Sequence, residues 1–567
     1  MATVNEFLGK QLAAALSGAG FEGARAEVSP ATDPRFGDYQ SNAAMILAKR
    51  EKANPRVVAE QIIRHFEPAG LCQTPEIAGA GFVNFRLLDS FIASALSDLA
   101  KDDRLGVAYA SPRKKIVLDF SSPNVAKPMH VGHIRSTILG DCLARIARFL
   151  GHNVTTDNHI GDWGTQFGKV IYGWKHLRDA SAMKEDAIAE LVRLYREVNL
   201  LEESDAAVKA AAREELVKLQ SGDPENLAIW QETVDLSWSA FQTIYDRLGV
   251  AFDERLGESA YRDALAPLCD ELQASGIAEI SEGALCVFFR ETPNLAEKPA
   301  MIRKADGGFL YATSDMATIH ARIARWNPDA IWYVVGSPQA LHFEQIFALA
   351  RRVGVTCELE HIAFGSILGE DRKMMKTRSG ENISLHSLLD EAVERASALI
   401  ASRSADLEDA ATIAETIGIG AVKYAELSQS RLTDYVFAWS KFLAFEGNTA
   451  PYLQNAYVRI RSIFRKAGHE ADLTAPVVLS TPAERSLALC LLRYAETVPL
   501  VLESFRPNLM ANYLYELANA YHAFYEACPV LKSESPVRES RLLLSHLTSQ
   551  VLAHGLGLLG IRCPERM

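Results

Sequence analysis

The run Lys115-Ile116-Val117-Leu118-Asp119-Phe120, followed by SSPNVAKPMHVGHIRSTILGD over residues 121–141, constrains this chain more than any other stretch. The first six residues are short and mostly apolar, the pattern of a strand buried in a parallel sheet. From His130 onward Ile134, Ile138, Leu139, Leu143, Ile146 and Leu150 recur at helical spacing. Pro123 and Pro128 keep the intervening segment extended and set the helix start after them. His130 and His133 therefore share one face of a first helical turn. Free amides there attract anions, and two imidazoles three residues apart can add hydrogen bonds to one phosphate. Gly132 between them removes a side chain and lets a flat base approach the backbone. On the four-residue pattern alone, a nucleotide site and two ordinary surface histidines are both open readings.

The flanks add to the first reading. HVGH resembles the HIGH signature of class I aminoacyl-tRNA synthetases, and the longer SPNVAKPMHVGHIRSTILGD is similar to the arginyl-tRNA synthetases in particular.

At 567 residues, 48% hydrophobic and 23% charged, the chain is long enough for several domains with ample cores. Its eight cysteines show no C-x-x-C pair, which predicts reduced and mostly buried thiols and no metal site. No signal peptide, lipidation motif or apolar run near eighteen residues is visible, so a soluble cytoplasmic protein without a membrane partner is expected. A net charge of −12 argues against a nucleic-acid partner, but the stretch from Lys441 carries 13 Lys and Arg against 11 Asp and Glu.

Residues 1–100 read as a small α+β module, with helical patterns around Val4–Leu16 and Pro55–Phe66, a polar turn segment over Asp33–Asn42 and a strand over Gly81–Leu87. Residues 112–385 alternate strand and helix patterns, as a doubly wound, Rossmann-like parallel sheet would. After a second strand at Asn153–Thr156, the glycine-rich loop Asp157–Gly168 either supports a ligand or merely turns the chain. A helical insertion is predicted over 179–219, and Ala284–Phe289 and Ile331–Val335 read as further strands. Gly307–Asp315 combines a turn, Tyr311 and a carboxylate four residues later; a hairpin into a helix capped by Ser314 or Asp315 would use the same residues. Gly369–Gly380 holds Arg372, Lys373, Lys376 and Arg378 on a loop bounded by glycines, which is either solvated or phosphate-facing. Residues 386–567 read as an all-α linker and C-terminal domain. Its aromatics at helical spacing, such as Tyr513 and Tyr521, suit a core better than RNA stacking. Gly555–Gly560 satisfies G-x-G-x-x-G without a preceding strand and is read as structural.

The resemblance runs along nearly the whole chain and implies an arginine–tRNA ligase using ATP and Mg²⁺, with tRNA(Arg) and L-arginine as partners, no DNA, and a monomeric state. It implies catalytic roles for His130, His133, Lys127 and Lys376, with Gly132, His130, His133 and Lys376 at ATP. Asn124, Glu258, Tyr311, Asp315 and Gln339 match substrate-contacting positions, and Arg459 and Met567 are the tRNA-contacting candidates. DWGTQFG at residues 162–168 matches a family segment, and Lys373–Thr377 resembles a KMSKS loop with departures at its third and fifth positions. Asn455 stands where many members carry an aromatic. The first 100 residues resemble the module that contacts the tRNA elbow, and the C-terminal ending resembles a helical anticodon-binding domain. Two rivals share parts of this pattern: another nucleotidyl-transfer enzyme with H-x-G-H, and a non-catalytic tRNA-binding relative.

Overall fold

The structure, a computed structural model, describes residues 2–369, 371–373, 383–403 and 409–567. The chain divides into two compact units: residues 111–443 with 559–561, and the first 110 residues with 444–558 and 562–567.

A four-stranded parallel sheet centres the first unit. β1 (Lys115–Asp119) is flanked by β2 (Asn153–Asp157) and β3 (Ala330–Tyr333), and β4 (Glu358–His361) gives the order β4-β3-β1-β2. Register places Asp119 opposite Asp157 on one side and Tyr333 on the other, so three polar side chains end adjacent strands at one level. Ile116, Val117, Leu118 and Ile331 are buried, because helices cover both faces. α1 (Val131–Phe149) follows β1 and is buried over most of its length. It approaches closely at Gly140, where a Cβ would stand 2.2 Å from the Phe120 ring.

Beyond β2, α2 (Gln166–His176) packs Phe167, Val170, Ile171 and Trp174 against Leu191 and Leu219, and against Ile229 and Val234 of α3 (Pro224–Leu248). Between α2 and α3 run helices Ala180–Glu185, Ala187–Ser204 and Ala206–Gln220. Asp179, Asp186, Asp205 and Asp223 each cap the helix that follows, which is why this charged stretch breaks where it does. Ala284–Val287 does not join the parallel sheet. The two-residue turn Glu282–Gly283, both at positive φ, folds it back on Glu279–Ser281, and Ala300–Arg303 completes a separate antiparallel sheet. α4 (Tyr311–Trp326) and α5 (Ala340–Arg352) bury Met316, Ile319, Phe343, Ile346 and Leu349 against Val117 and Ile331. Helices Leu385–Arg403 and Ala410–Leu427 and the parallel pair Ile367–Leu368 with Tyr435–Val436 also belong to this unit.

In the second unit, Ser29–Pro30, Tyr39–Ser41, Phe82–Phe85 and Glu76–Ala78 form an antiparallel sheet in that order. The polar segment Asp33–Asn42 thus contains a strand as well as a turn. Its Tyr39 is buried and donates to Glu496 at 3.0 Å, while Arg485 donates two bonds to Asp38 at 2.7 and 2.8 Å and one to Asp89 at 2.8 Å. Arg485 and Glu496 stand on helices Pro482–Leu492 and Tyr494–Ser504, and helices Ala450–Ala467, Asn508–Ala527 and Val537–Leu558 belong to the same unit. Tyr513, Tyr521 and Phe524 are core, and Gly555 lies inside the last helix, where a Cβ would meet Leu514 at 2.6 Å. No helix among the described residues is long and apolar enough to cross a membrane.

Candidate active site

The two histidines cap α1 reciprocally. His130 is the N-cap, and its Nδ1 accepts the Gly132 amide at 3.1 Å; Nδ1 of His133 accepts the His130 amide at 3.1 Å. Burial, with the charge of Lys127, lowers the pKa of His130; burial chiefly, then His130, pushes His133 down to about 4. Both rings are therefore neutral at pH 7. With Nδ1 an acceptor in each, the single ring proton sits on Nε2, so each ring offers one N–H donor beyond the cap. Gly132 permits this: a Cβ there would stand 2.8 Å from the His130 ring. Lys127 is exposed on the preceding loop, with its Nζ 5.8 Å from the centre of the Tyr195 ring.

A buried guanidinium ties the strand ends beside this loop together. Arg322 of α4, fully buried, reaches Asp119 at 2.7 Å and Asp157 at 2.8 Å, and lies 5.4 Å from the Tyr333 ring. Ser121 and Ser122 continue from β1 at positive φ; the Ser121 amide donates to Ser136 of α1 at 2.8 Å, and Ser122 donates to Asp119 at 3.0 Å. Arg135 anchors the far side of α1. It pairs with buried Glu426 at 3.1 Å and donates to the Gly365 carbonyl at 2.7 Å, and burial pushes Glu426 up to about 7.

The loop after β1 and the glycine-rich loop after β2 meet at Asn124 and Gly161. The Val125 amide donates to the Gly161 carbonyl at 3.1 Å, the Gly161 amide to Pro123 at 3.0 Å, and a Cβ on Gly161 would fall 2.3 Å from Asn124 Oδ1. Next along, Asp162 accepts both the amide and the hydroxyl of Ser259, at 2.8 and 2.7 Å, and burial raises its pKa. Glu258, its amide bonded to Ile160, is pushed up to about 7 by burial, with His159 opposing and Asp162 and Asp315 adding to the rise. Asn124 and Glu258 therefore border the same loop, and the charge of Asp315 reaches Glu258. Asp315 does not cap α4: the N-cap is Leu310, without a side-chain cap, and Asp315 Oδ2 instead meets His342 Nε2 of α5 at 2.5 Å. Tyr311, 73% exposed, opens α4, and exposed Gln339 immediately precedes α5.

Of the basic loop, Lys376 and Arg378 lie outside the described residues. Its near stem is held by the Gly369 amide donating to the Lys373 carbonyl at 2.8 Å. On its far side, Val131 donates to Ile383 at 3.0 Å and Leu385 to Met129 at 2.9 Å, which clips residues 383–385 beside His130. Arg459 belongs to the second unit, 3.2 Å from His522 and 5.6 Å from the Tyr525 ring centre; Met567 ends the same unit. Sequence reasoning passed over Arg322, Arg135, Asp162 and His342 as site-forming residues. Asp119 carried a usable signal, ending a mostly apolar strand, and Asp157 ends the strand that precedes the glycine-rich loop; nothing in local spacing marks Arg322 or His342.

Three family models match the chain: "tRNA synthetases class I (R), catalytic domain" over 95–439, "DALR anticodon binding domain" over 453–567 and "Arginyl tRNA synthetase N terminal domain" over 6–87. The chain is 44% identical to the arginine–tRNA ligase of Laribacter hongkongensis over 575 residues and 45% identical to that of Thermobifida fusca over 578, covering 100% of both chains in each pairing. Among solved structures, the arginyl-tRNA synthetase of Plasmodium falciparum superposes with a TM-score of 0.86 at 28% identity over 100% of both chains. That of Thermus thermophilus gives 0.85 at 25%, over 99% of this chain and 100% of the other.

Proposed function

The chain belongs to the arginyl-tRNA synthetase family, and from that membership we propose that it activates L-arginine with ATP, releasing pyrophosphate, and passes the arginyl group to the 3′-terminal adenosine of its cognate tRNA. The observation that carries the chemistry is the reciprocal cap of His130 and His133, which leaves two Nε2–H donors at a helix N-terminus. Negative charge builds on the phosphates as the arginine carboxylate attacks the α-phosphorus, and donors already fixed in place stabilise it without reorganising. Lys127 and Lys376 supply positive charge to the leaving pyrophosphate. Asn124, Tyr311, Gln339 and the carboxylates of Glu258 and Asp315 select arginine, a permanently charged planar fork that a carboxylate can accept side-on.

Among the described residues no cluster of three carboxylate, imidazole or thiolate groups could hold a metal ion. Mg²⁺ would enter on the phosphates of ATP, which suits its preference for few protein ligands. For tRNA, the first 100 residues would engage the elbow and the C-terminal helices, with Arg459 and Met567, the anticodon. The reading includes a monomer working in the cytoplasm.

ATP–pyrophosphate exchange across a panel of amino acids, with and without tRNA, tests the activity. Arginine-dependent exchange is expected. Exchange with a different acid would make the chain another nucleotidyl-transfer enzyme, and tRNA binding without any aminoacylation would make it a non-catalytic relative.

A further inference from the structure

The Asp315 carboxylate is held from a neighbouring helix. His342 Nε2 stands 2.5 Å from Asp315 Oδ2, and the two side chains are 22% and 27% exposed. The base of that imidazole is rigid. α5 begins just after Ser337, whose amide and hydroxyl both reach the Phe364 carbonyl, at 2.9 and 2.8 Å. Phe343, the residue after His342, is buried and stacks on His361 at 4.4 Å, and the His361 ring bonds to the Val335 carbonyl at 3.0 Å. The charge of Asp315 also reaches Glu258 and adds to the rise of its pKa, so the two carboxylates repel.

We propose that His342 is a positioning residue for arginine recognition: its imidazole fixes the Asp315 carboxylate in the orientation that meets the guanidinium. This rests on the reading of Asp315 as an arginine-selecting carboxylate. A carboxylate has about four lone-pair sites, so one bond to His342 leaves enough for a side-on guanidinium. Holding the group before arginine arrives removes an ordering cost from binding.

The measurements are KM for arginine, KM for ATP and kcat in pyrophosphate exchange, with a melting curve for each variant. His342→Ala is expected to raise KM for arginine roughly ten- to a hundred-fold, the scale of a displaced recognition group, with KM for ATP and kcat at saturating arginine little changed. His342→Gln, whose amide N–H reaches to the depth of Nε2, is expected to restore most of the affinity, while the shorter His342→Asn does not. In an Asp315→Ala background, His342→Ala is expected to add nothing. An unchanged arginine KM in His342→Ala, beside a raised one in Asp315→Asn, would overturn this proposal alone. An unchanged arginine KM in Asp315→Asn would instead remove the reading beneath it. Should His342→Ala fail to fold, the contrast between Gln and Asn decides, and equal KM values in those two would also overturn the proposal.

Discussion

His133 gives its Nδ1 to the helix cap and keeps Nε2–H for a ligand, so its removal takes away one cap bond along with one donor. His133→Ala is expected to lower kcat for exchange by about two to three orders of magnitude, the scale for losing one transition-state donor, while the circular-dichroism spectrum is retained. An unaltered rate would move the phosphate site off α1. Asp315→Asn is expected to weaken arginine use by roughly 2–4 kcal/mol and to narrow the preference over citrulline, because it breaks a charge pair in a partly desolvated site. Since Asp315 caps nothing, its melting cost should be about 1 kcal/mol or less. Glu258 brings a pH dependence. Its carboxyl titrates at about 7 in the folded chain, so the charged form that pairs with a guanidinium gains as pH rises. The value of kcat/KM for arginine is expected to climb between about pH 6 and 8 and to flatten in Glu258→Gln. The same shift sets a stability sign: this group's contribution is full below the ordinary value of 4.5 and is lost as pH rises through about 7. How legible these residues were depended on distance. His130 and His133 are three apart and declare a shared face; Asp315 and His342 are joined only once α4 and α5 pack side by side.

The elements that announce themselves are those whose residues answer to their own neighbours in sequence. β1 and α1 followed from an apolar run and a helical period, and the aspartate caps explain the breaks between residues 179 and 224. Ala284–Val287 has the composition of a central strand, and its sheet was decided by the turn before it rather than by its own residues. Asp119 reads from sequence as part of a strand run and Asp157 as the start of a loop, and the guanidinium that pairs them comes from α4. Two glycines test close approach at this scale. Gly140→Ala would drive a methyl into the Phe120 ring, and a loss of about 1–3 kcal/mol is expected from the urea midpoint. Gly161→Ala presses instead on the end of the Asn124 side chain, which can swing aside. There the expected damage is to substrate KM with the midpoint nearly kept, and the reverse result would make Asn124 a structural residue.

At the scale of the whole chain, a fragment ending near Ser440 is expected to lose tRNA charging far more than arginine-dependent exchange, measured on soluble material. Full charging by that fragment would refute the assignment of the C-terminal helices to the anticodon. The cut has a second effect that sequence did not foretell. It takes away Arg485 and Glu496, the partners of Asp38 and Tyr39, across a gap of more than four hundred residues that no local pattern spans. The first 110 residues made alone are accordingly expected to melt well below the same residues in the full chain. Synthesis puts every copy through that condition. About 375 residues must be added between Ala110 and Arg485, and at roughly 5–20 residues per second this takes on the order of 20 to 75 s. Until then Asp38 and Tyr39 wait in water at the ribosome for a partner still unwritten, so this module is made well before the residues that finish it.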